Sequence, residues 1–206
     1  MTATAPSTNN VVPLTNPRRA ATRTRICEAA NALFFEHGFA GTSMEEIAQA
    51  VGIRRSTLYL HFRDKDEVLR AIAEDYTAKL RPVIARLAGP EPTRDEIAAW
   101  VDDMAEFVMR EPAATELLVS LSHLPKAPAA ARAFGEEYKA MMATRLAAFQ
   151  RALEPGEALQ FARAMAATDG LGWALCHHAR AGGDAVSKAR LTVAADTLAR
   201  FVREEM

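Results

Sequence analysis

Helix start signals recur along this sequence, and they constrain its fold more than any other feature. In a capping box, a Ser, Thr or Asp caps the first turn, and a Glu three residues later hydrogen-bonds back to the cap residue. Four such pairs stand before apolar runs: Thr42 with Glu45, Ser43 with Glu46, Asp64 with Glu67, and Thr93 with Glu96. The apolar residues that follow recur at intervals of three or four, and no hairpin signal separates alternating strands. The sequence therefore predicts an all-α fold of about nine helices.

The length and composition are those of a protein with a substantial core. The chain has 206 residues, of which 50% are hydrophobic, so one large domain or two small ones are expected. No apolar run approaches the roughly 20 residues that a membrane-spanning helix needs. The two cysteines, Cys27 and Cys176, fall on different predicted helices, which favours free thiols in a reducing compartment. Residues 1–16 lack the basic start and apolar centre of a secretory signal. We therefore expect a flexible N-terminal arm and a cytoplasmic protein with no membrane partner.

Charge is unevenly distributed along the chain. The formal net charge is −1, which suggests no bulk affinity for nucleic acid. Residues 17–65, however, contain eight basic and five acidic side chains, whereas the remainder of the chain is net acidic. This asymmetry indicates an anionic partner for the N-terminal part of the protein.

The segment GIRRSTLYLHFRDKDEVL, residues 52–69, combines many hydrogen-bond donors with a helix start. Gly52 separates two short predicted helices, which is the arrangement of a helix-turn-helix. The second helix of that unit enters the major groove of DNA, where base edges carry a distinct pattern of donors and acceptors. Helix N-termini nearby attract phosphate. Ile53 and Leu58 are expected to face inward. The side chains expected to contact DNA are Thr42, Ser43, Arg54, Arg55, Ser56, Thr57, Tyr59, His61 and Lys65.

Several of these basic and aromatic residues admit a second interpretation. Tyr59 could pack against its neighbours instead of reaching DNA, and His61 could lie at a solvated helix end. Arg18 and Arg19 fit either a solvated tail or an arm that enters the minor groove beside the major-groove site.

Residues 25–69, RICEAANALFFEHGFAGTSMEEIAQAVGIRRSTLYLHFRDKDEVL, resemble the DNA-binding domain of the TetR family of bacterial transcriptional regulators. The matching positions are Ala29, Ala30, Leu33, Phe34, Gly38, Thr42, Ile47, Ala48, Gly52, Leu58, Tyr59, His61, Phe62 and Lys65. Two positions depart from the family pattern. Arg54 stands where the family usually has a small hydroxyl that caps the recognition helix, and Ser56 stands where glycine is common.

The resemblance implies a domain order and a function. Residues 1–16 would be the flexible arm, residues 17–63 an N-terminal three-helix helix-turn-helix domain, and residues 64–206 a helical effector-binding and dimerisation domain. The protein would be a repressor that binds a palindromic double-stranded operator as a homodimer and is released by a small effector. The residues themselves leave open whether the chain represses or activates.

By the resemblance, the effector pocket lies among the middle helices. Methionine and aromatic side chains suit a cavity for an apolar or amphipathic molecule, because methionine adapts to irregular shapes. Such positions also occur in ordinary cores. The candidate effector contacts are Trp100, Met104, Phe107, Phe134, Tyr138, Met141, Met142, Phe149 and Trp173.

The resemblance also implies dimerisation through the last two helices, and the sequence is compatible with it. Gly170 and Gly172 permit close approach in the first of these helices. The second has a continuous apolar face, which we expect a four-helix interface to bury: Leu191, Ala194, Ala195, Leu198, Phe201 and Val202.

Metal binding and catalysis find little support in the sequence. His177 and His178 follow Cys176, but consecutive helical positions point in different directions, whereas a helical chelate needs spacings of three or four. No nucleophile–base pattern, phosphate loop or dinucleotide fingerprint is present. We therefore expect no enzyme, no cofactor and no metal site. Two alternatives remain open: a helical ligand-binding protein or enzyme without specific DNA affinity, and a regulator that answers to a protein partner.

Overall fold

The computed structural model describes residues 17–204, and within that range every regular element is a helix. The flexible arm expected at residues 1–16 lies outside the described residues. The ten helices are α1 (Pro17–Gly41), α2 (Met44–Val51), α3 (Arg55–Tyr59), α4 (Lys65–Ile84), α5 (Arg94–Arg110), α6 (Pro112–Ser122), α7 (Ala129–Arg145), α8 (Ala147–Ala152), α9 (Ala158–Arg180) and α10 (Ala185–Val202). The prediction of an all-α fold is confirmed.

The structure contains one helix more than predicted, because a break at Leu146 divides the helix expected from Pro128 to Leu153. Leu146 has an extended backbone (φ −121°, ψ 120°) and a fully buried side chain. The next amide, that of Ala147, donates to Pro90 O at 3.0 Å instead of to a helical partner. Arg145 fixes the same segment through hydrogen bonds to Ala85 O and Leu87 O. Contacts distant in sequence therefore interrupt a segment whose local pattern favours one helix.

Two helix ends also differ from the prediction. At Gly38 the backbone leaves the helical path (φ 74°, ψ 155°), as expected of glycine, but a further turn continues to Gly41. Pro82 was expected to kink or end α4, yet the helix continues to Ile84. The last turn buries Val83 and Ile84, and this burial offsets the loss of one backbone hydrogen bond at the proline.

The first three helices pack into a small unit that the start of α4 closes. Its centre consists of large side chains with almost no exposure: Ile26, Phe34, Ile47, Leu58 and Phe62. Three arginines of α1 tie this helix to the ends of α2 and α3 by donating to main-chain carbonyl oxygens. Arg19 donates to Leu60 O, Arg23 to His61 O and Arg25 to Val51 O, at 2.8–3.0 Å. These bonds hold α3 in a fixed orientation.

The remaining helices form a bundle around the second half of α4. Within it, α4 packs against α7, and α10 packs against α9 and α5. The core is continuous from one part of the molecule to the other, since Val68 and Leu69 of α4 are buried beside α1 while Leu80 and Val83 are buried in the bundle. α6 touches α1 directly. No helix between residues 17 and 204 combines the length and apolarity that crossing a bilayer requires.

Candidate DNA-binding surface and internal cavity

Local signals position the helix-turn-helix. Ser43 caps α2 and forms a complete capping box, in which the Glu46 amide donates to Ser43 Oγ and the Ser43 amide donates to Glu46 Oε2 at 2.7 Å. These hydrogen bonds from Ser43 lower the pKa of the Glu46 carboxyl below its ordinary value. Gly52 ends α2 with a left-handed backbone (φ 73°, ψ 35°), which an L side chain would strain. The turn thus directs α3 away from α2 at a defined angle.

Thr42 does not belong to the DNA-facing surface, contrary to the prediction. Its side chain is 2% exposed, and its Oγ1 donates to Gly38 O at 3.0 Å and to Leu33 O at 3.2 Å. The second predicted capping box, Thr42 with Glu45, is therefore not formed. Ser43 is exposed, but its hydroxyl is engaged with Glu46.

α3 presents a polar face to solvent and an apolar anchor to the core. Arg54, Arg55, Ser56 and Tyr59 are exposed, whereas Leu58 has no exposure at all; Thr57 is half-buried. Arg54 occupies the N-cap position with an extended backbone and makes no side-chain cap bond, as expected of an arginine in place of a hydroxyl. The face that a major groove would meet therefore consists of hydrogen-bonding side chains.

Arg55 is held in place before any DNA binds. Its guanidinium lies 3.5 Å from Glu45 Oε2 of α2, 3.4 Å from Tyr59 Oη, and 5.5 Å from the centre of the Tyr59 ring. Tyr59 lies one helical turn after Arg55, so the two side chains support each other on the same face. Glu45 was not among the predicted site residues, although it is exposed beside Arg55, the first residue of α3.

Lys65 and His61 lie beside α3, and only Lys65 is fully bound within the protein. The ammonium group of Lys65 donates to three carbonyl oxygens, those of Phe39, Ala40 and Thr42, at 2.7–3.1 Å. All three of its hydrogens are thereby used. The imidazole of His61 is half-buried, its Nδ1 has no hydrogen-bond partner, and burial together with the nearby Arg19 and Arg23 lowers its pKa. Arg19 is part of α1, so its side chain is neither a solvated tail nor a free arm.

A second site lies inside the bundle. A cavity of about 390 Å³ opens between α4, α5, α6, α7 and α9. Three of the predicted effector contacts line it: Met104, Phe134 and Tyr138. Its size falls within the usual range for small-molecule pockets.

The other six predicted effector contacts do not line this cavity. Trp100 is buried in the core, where its Nε1 donates to Val83 O at 3.0 Å. Four more also pack into the core, because their positions on the helices face neighbouring helices: Phe107, Met141, Met142 and Phe149. Trp173 is 45% exposed, and its ring centroid lies 5.7 Å from that of His123, outside the cavity lining.

Sequence reasoning missed the polar part of the lining. Tyr76 of α4 and Thr115 of α6 are both buried, and their hydroxyl oxygens are 3.0 Å apart. On α9, Thr168 and Asp169 line the cavity together with Met165, Gly172 and Leu175. A signal was present, since Thr168 and Asp169 interrupt positions that a helix in a core usually fills with apolar residues.

His123 and Asp169 form an ion pair at the cavity mouth. His123 Nε2 lies 2.9 Å from Asp169 Oδ1, and its Nδ1 lies 2.6 Å from Val119 O. Both ring nitrogens face acceptors, an arrangement that only the doubly protonated imidazolium satisfies. Burial opposes this charge, but the hydrogen bonds to Val119 and Asp169 outweigh burial and raise the pKa of His123 above its ordinary value.

The outer surface of α9 and α10 is the third notable feature. Trp173, Val186 and Val193 are 45%, 60% and 67% exposed, and a shallow apolar groove runs between them. Gly170 borders this groove, and a Cβ there would meet nothing within 4 Å; a Cβ at Gly172 would instead meet Val119 at 3.6 Å inside the chain. The apolar face predicted for the dimer interface is instead buried against α5, α8 and α9 within one chain: Leu191, Ala194, Ala195, Leu198, Phe201 and Val202. Of these residues, Ala194 alone borders this groove.

Of the two histidines after Cys176, His178 packs between α9 and the start of α10. His178 is buried, and its Nδ1 lies 3.2 Å from Ser187 Oγ near the start of α10. Across residues 17–204, no group of three or more His, Cys, Asp or Glu side chains is arranged to hold a metal ion.

Known proteins match the N-terminal part of this chain in sequence. The family profile described as bacterial regulatory proteins, tetR family, matches residues 26–72. The transcriptional repressor AcnR of Corynebacterium diphtheriae is 33% identical over 76 residues, which are 37% of this chain and 40% of that protein. The repressor KstR2 of Rhodococcus jostii is 39% identical over 67 residues, or 31% of this chain and 33% of that protein. The matches thus span less than half the length of these relatives.

Solved structures match nearly the whole chain in fold. A TetR family regulator from Marinobacter aquaeolei has a TM-score of 0.65 at 17% identity, covering 88% of this chain and 97% of that one. A TetR-like regulator from Rhodococcus has a TM-score of 0.64 at 18% identity, covering 90% and 96%. These likenesses concern the fold. The sequence match thus assigns the N-terminal helix-turn-helix to the TetR family of bacterial regulatory proteins.

Proposed function

We propose that this protein is a ligand-responsive transcriptional regulator that binds a palindromic operator as a homodimer and leaves it when a small effector binds. One observation carries the proposal: α3 follows the left-handed turn at Gly52 and exposes Arg54, Arg55, Ser56 and Tyr59 as one polar face. In this division of labour residues 17–63 read DNA, and residues 64–206 bind the effector and the second chain.

The DNA-reading part has the charges and donors that a major groove requires. Arginine forms paired hydrogen bonds with guanine, and the hydroxyls of Ser56 and Thr57 can bond either bases or phosphates. Tyr59 supports Arg55 from one turn away. His61 and the half-buried N-terminal end of α4 lie beside α3, where they can approach phosphate. We assign Lys65 to the support of this surface, because its three donors are bound to carbonyl oxygens.

Dimerisation gives the reading part enough contacts to be selective. One α3 helix touches few base pairs, whereas two helices related by a twofold axis read two half-sites about 34 Å apart. The exposed apolar groove of α9 and α10, with Trp173, Val186 and Val193, is the surface we assign to the second chain. Exposed apolar patches of this kind are typical of protein–protein interfaces.

Effector binding can reach DNA through α4 and α6. α4 begins beside α3 at Lys65 and lines the cavity with Tyr76 and Leu80. α6 lines the cavity with Thr115 and also packs against α1. A ligand that favours a different spacing of these helices changes the separation of the two α3 helices and weakens operator binding. The coupling is reciprocal, so operator weakens effector binding by the same factor.

Repression is the output that we propose, because an occupied operator obstructs transcription. AcnR and KstR2, the relatives compared above, are named repressors. The proteins that this chain resembles are regulators and not enzymes, which supports the same choice for this chain.

Binding to DNA is the experiment that tests the proposal. Fluorescence anisotropy with a duplex from the region upstream of the chain's own gene should show binding that a scrambled duplex of equal length does not reproduce. The same titrations at two salt concentrations should give weaker binding at higher salt, since phosphate contacts release counterions. A helical ligand-binding protein or enzyme without specific DNA affinity would bind both duplexes equally or not at all.

The effector step needs a separate measurement. Thermal denaturation of the full chain against a panel of metabolites should reveal a ligand that raises the melting temperature, because binding to the native state stabilises it. That ligand should also release the duplex. A regulator that answers to a protein partner would bind the duplex and respond to no small molecule.

A further inference from the structure

Four of the charged side chains at the mouth of the cavity form two ion pairs, and one positive side chain remains outside them. His123 pairs with Asp169, and Lys139 Nζ lies 2.6 Å from Glu136 Oε1. All four residues line the cavity. Each pair brings one positive and one negative group together, so neither leaves a net charge for a ligand.

Arg132 is the charged lining residue that belongs to neither ion pair. It lies on the exposed rim of α7, and one of its amino groups donates to Ala127 O. Among the residues that the structure describes, no carboxylate lies within salt-bridge distance of it. A guanidinium carries five N–H donors in a planar fork, so most of its donors remain available at the cavity mouth.

The interior of the cavity has one further donor without a partner. Thr115 donates to Glu111 O at 2.8 Å and accepts from Tyr76, and Thr168 donates to Ala164 O of its own helix at 2.9 Å. The hydroxyl of Tyr138 has no hydrogen-bond partner within residues 17–204. Burial, followed by the charge of Asp169, raises the pKa of Tyr138 above its ordinary value, so this phenol remains a donor at neutral pH.

The remaining walls are apolar. The cavity is bordered by aliphatic, thioether and aromatic side chains, which form its inner surface: Leu80, Met104, Val108, Phe134, Met165 and Leu175. A ligand that fits this lining has an apolar body, an acceptor near Tyr138 and a negative charge near Arg132.

We propose that the effector is an amphipathic anion, with a carboxylate or similar oxyanion held by Arg132 at the rim and an apolar body enclosed by the cavity. This inference rests on the proposed function only in treating the cavity as the effector site. A cation would meet an unpaired guanidinium at the rim. A neutral molecule would leave the donors of Arg132 unused, and hydrogen bonds to a charged acceptor are roughly twice as strong as neutral ones.

Probes that share an apolar body and differ in their head group test this directly. Decanoate, 1-decanol and decyltrimethylammonium share one linear body, while 4-phenylbutyrate and 4-phenyl-1-butanol share an aromatic one. Isothermal titration calorimetry with the full chain, without DNA, measures the affinity of each probe for the wild type, Arg132→Gln and Arg86→Gln. The last variant removes one positive charge outside the cavity lining and serves as the control.

The expected result is that at least one carboxylate binds, more tightly than its alcohol, and that the ammonium probe is the weakest of the linear set. Arg132→Gln should weaken the carboxylate by about fivefold, since the rim is solvent-exposed, and leave the alcohol unchanged. Arg86→Gln should change neither. Equal affinity for carboxylate and alcohol, a preference for the ammonium probe, no binding of any probe, or an Arg132→Gln effect matched by Arg86→Gln would each overturn the inference.

These titrations, set beside the duplex-binding measurements above, separate this inference from the proposed function. Because the titrations contain no DNA, a protein that binds carboxylates through Arg132 but ignores every duplex would uphold the cavity chemistry and refute the regulator. A protein that binds its duplex specifically but binds carboxylate, alcohol and ammonium probes with equal affinity would uphold the regulator and refute the cavity chemistry.

Discussion

At the scale of single residues, the site depends on a few side chains whose neighbours fix them in advance. Arg55 is held between Glu45 and Tyr59, and Lys65 is held by three carbonyl oxygens at the end of α1. Both are basic residues near α3, yet their surroundings differ. One is exposed and can exchange its partners for DNA, whereas the other is bound to the main chain.

Replacing Arg55 with Ala should reduce sequence discrimination. A bidentate contact to a base contributes about 1–3 kcal/mol, so affinity for the operator should fall by that amount while affinity for a scrambled duplex changes little. Anisotropy titrations on both duplexes provide the measurement. Equal losses on the two duplexes would show that Arg55 contacts phosphate and does not read bases.

Replacing Glu45 with Gln should strengthen DNA binding. The change removes a negative charge that is 3.5 Å from Arg55 and would lie near phosphate. Because the pair is exposed, the gain should be modest, about 0.2–1 kcal/mol, and it should shrink at high salt. A loss of affinity would instead assign Glu45 a direct contact with a base.

Replacing Lys65 with Met should lower stability and leave the salt dependence of DNA binding unchanged. The variant loses charge-assisted hydrogen bonds to Phe39 O, Ala40 O and Thr42 O, which implies a loss of about 1.5–3 kcal/mol in unfolding free energy. Chemical denaturation measures the first effect and salt titration the second. Arg63→Ala is the control, since its exposed pair with Glu67 contributes little. A flatter salt slope with unchanged stability would place Lys65 on phosphate.

At the scale of elements, the helix-turn-helix could be predicted because its signals are local. Ser43 with Glu46 starts α2, Gly52 ends it, and Asp64 starts α4. The cavity lining could not be predicted equally well, since it depends on which sides of α4, α7 and α9 face one another. The apolar stripe of α10 was misassigned for the same reason: Leu191 and Leu198 fit a partner helix in another chain as well as they fit α9 in this one.

The ion pair between α6 and α9 should stabilise the protein more at low pH. Because the folded state raises the pKa of His123, its contribution is complete below the pKa of the unfolded chain and is lost as pH rises through the folded pKa. The melting temperature of His123→Gln should therefore fall furthest below that of the wild type near pH 5.5, and the gap should narrow by pH 8.5. The same change at the exposed His37 is the control. A gap that widens as pH rises would refute the imidazolium assignment.

At the scale of the whole molecule, the proposed mechanism requires two chains. The groove of α9 and α10 leaves Val186 and Val193 largely exposed in one chain, and the reading parts need a fixed separation to meet successive major grooves. Val193→Asp should therefore yield monomers and weaken operator binding together, because a charge at the centre of an apolar interface is costly. Light scattering after size exclusion measures the mass, with Leu153→Asp as an exposed control outside the groove.

The stoichiometry of the protein–operator complex shows whether two chains bind DNA together. Native mass spectrometry of the wild-type chain on the shortest protected duplex counts the chains that the DNA holds. We predict two chains, or a multiple of two, with Arg55→Ala reducing the complex on operator but not on scrambled DNA. A single chain per duplex, or no complex at low ionic strength, would contradict it.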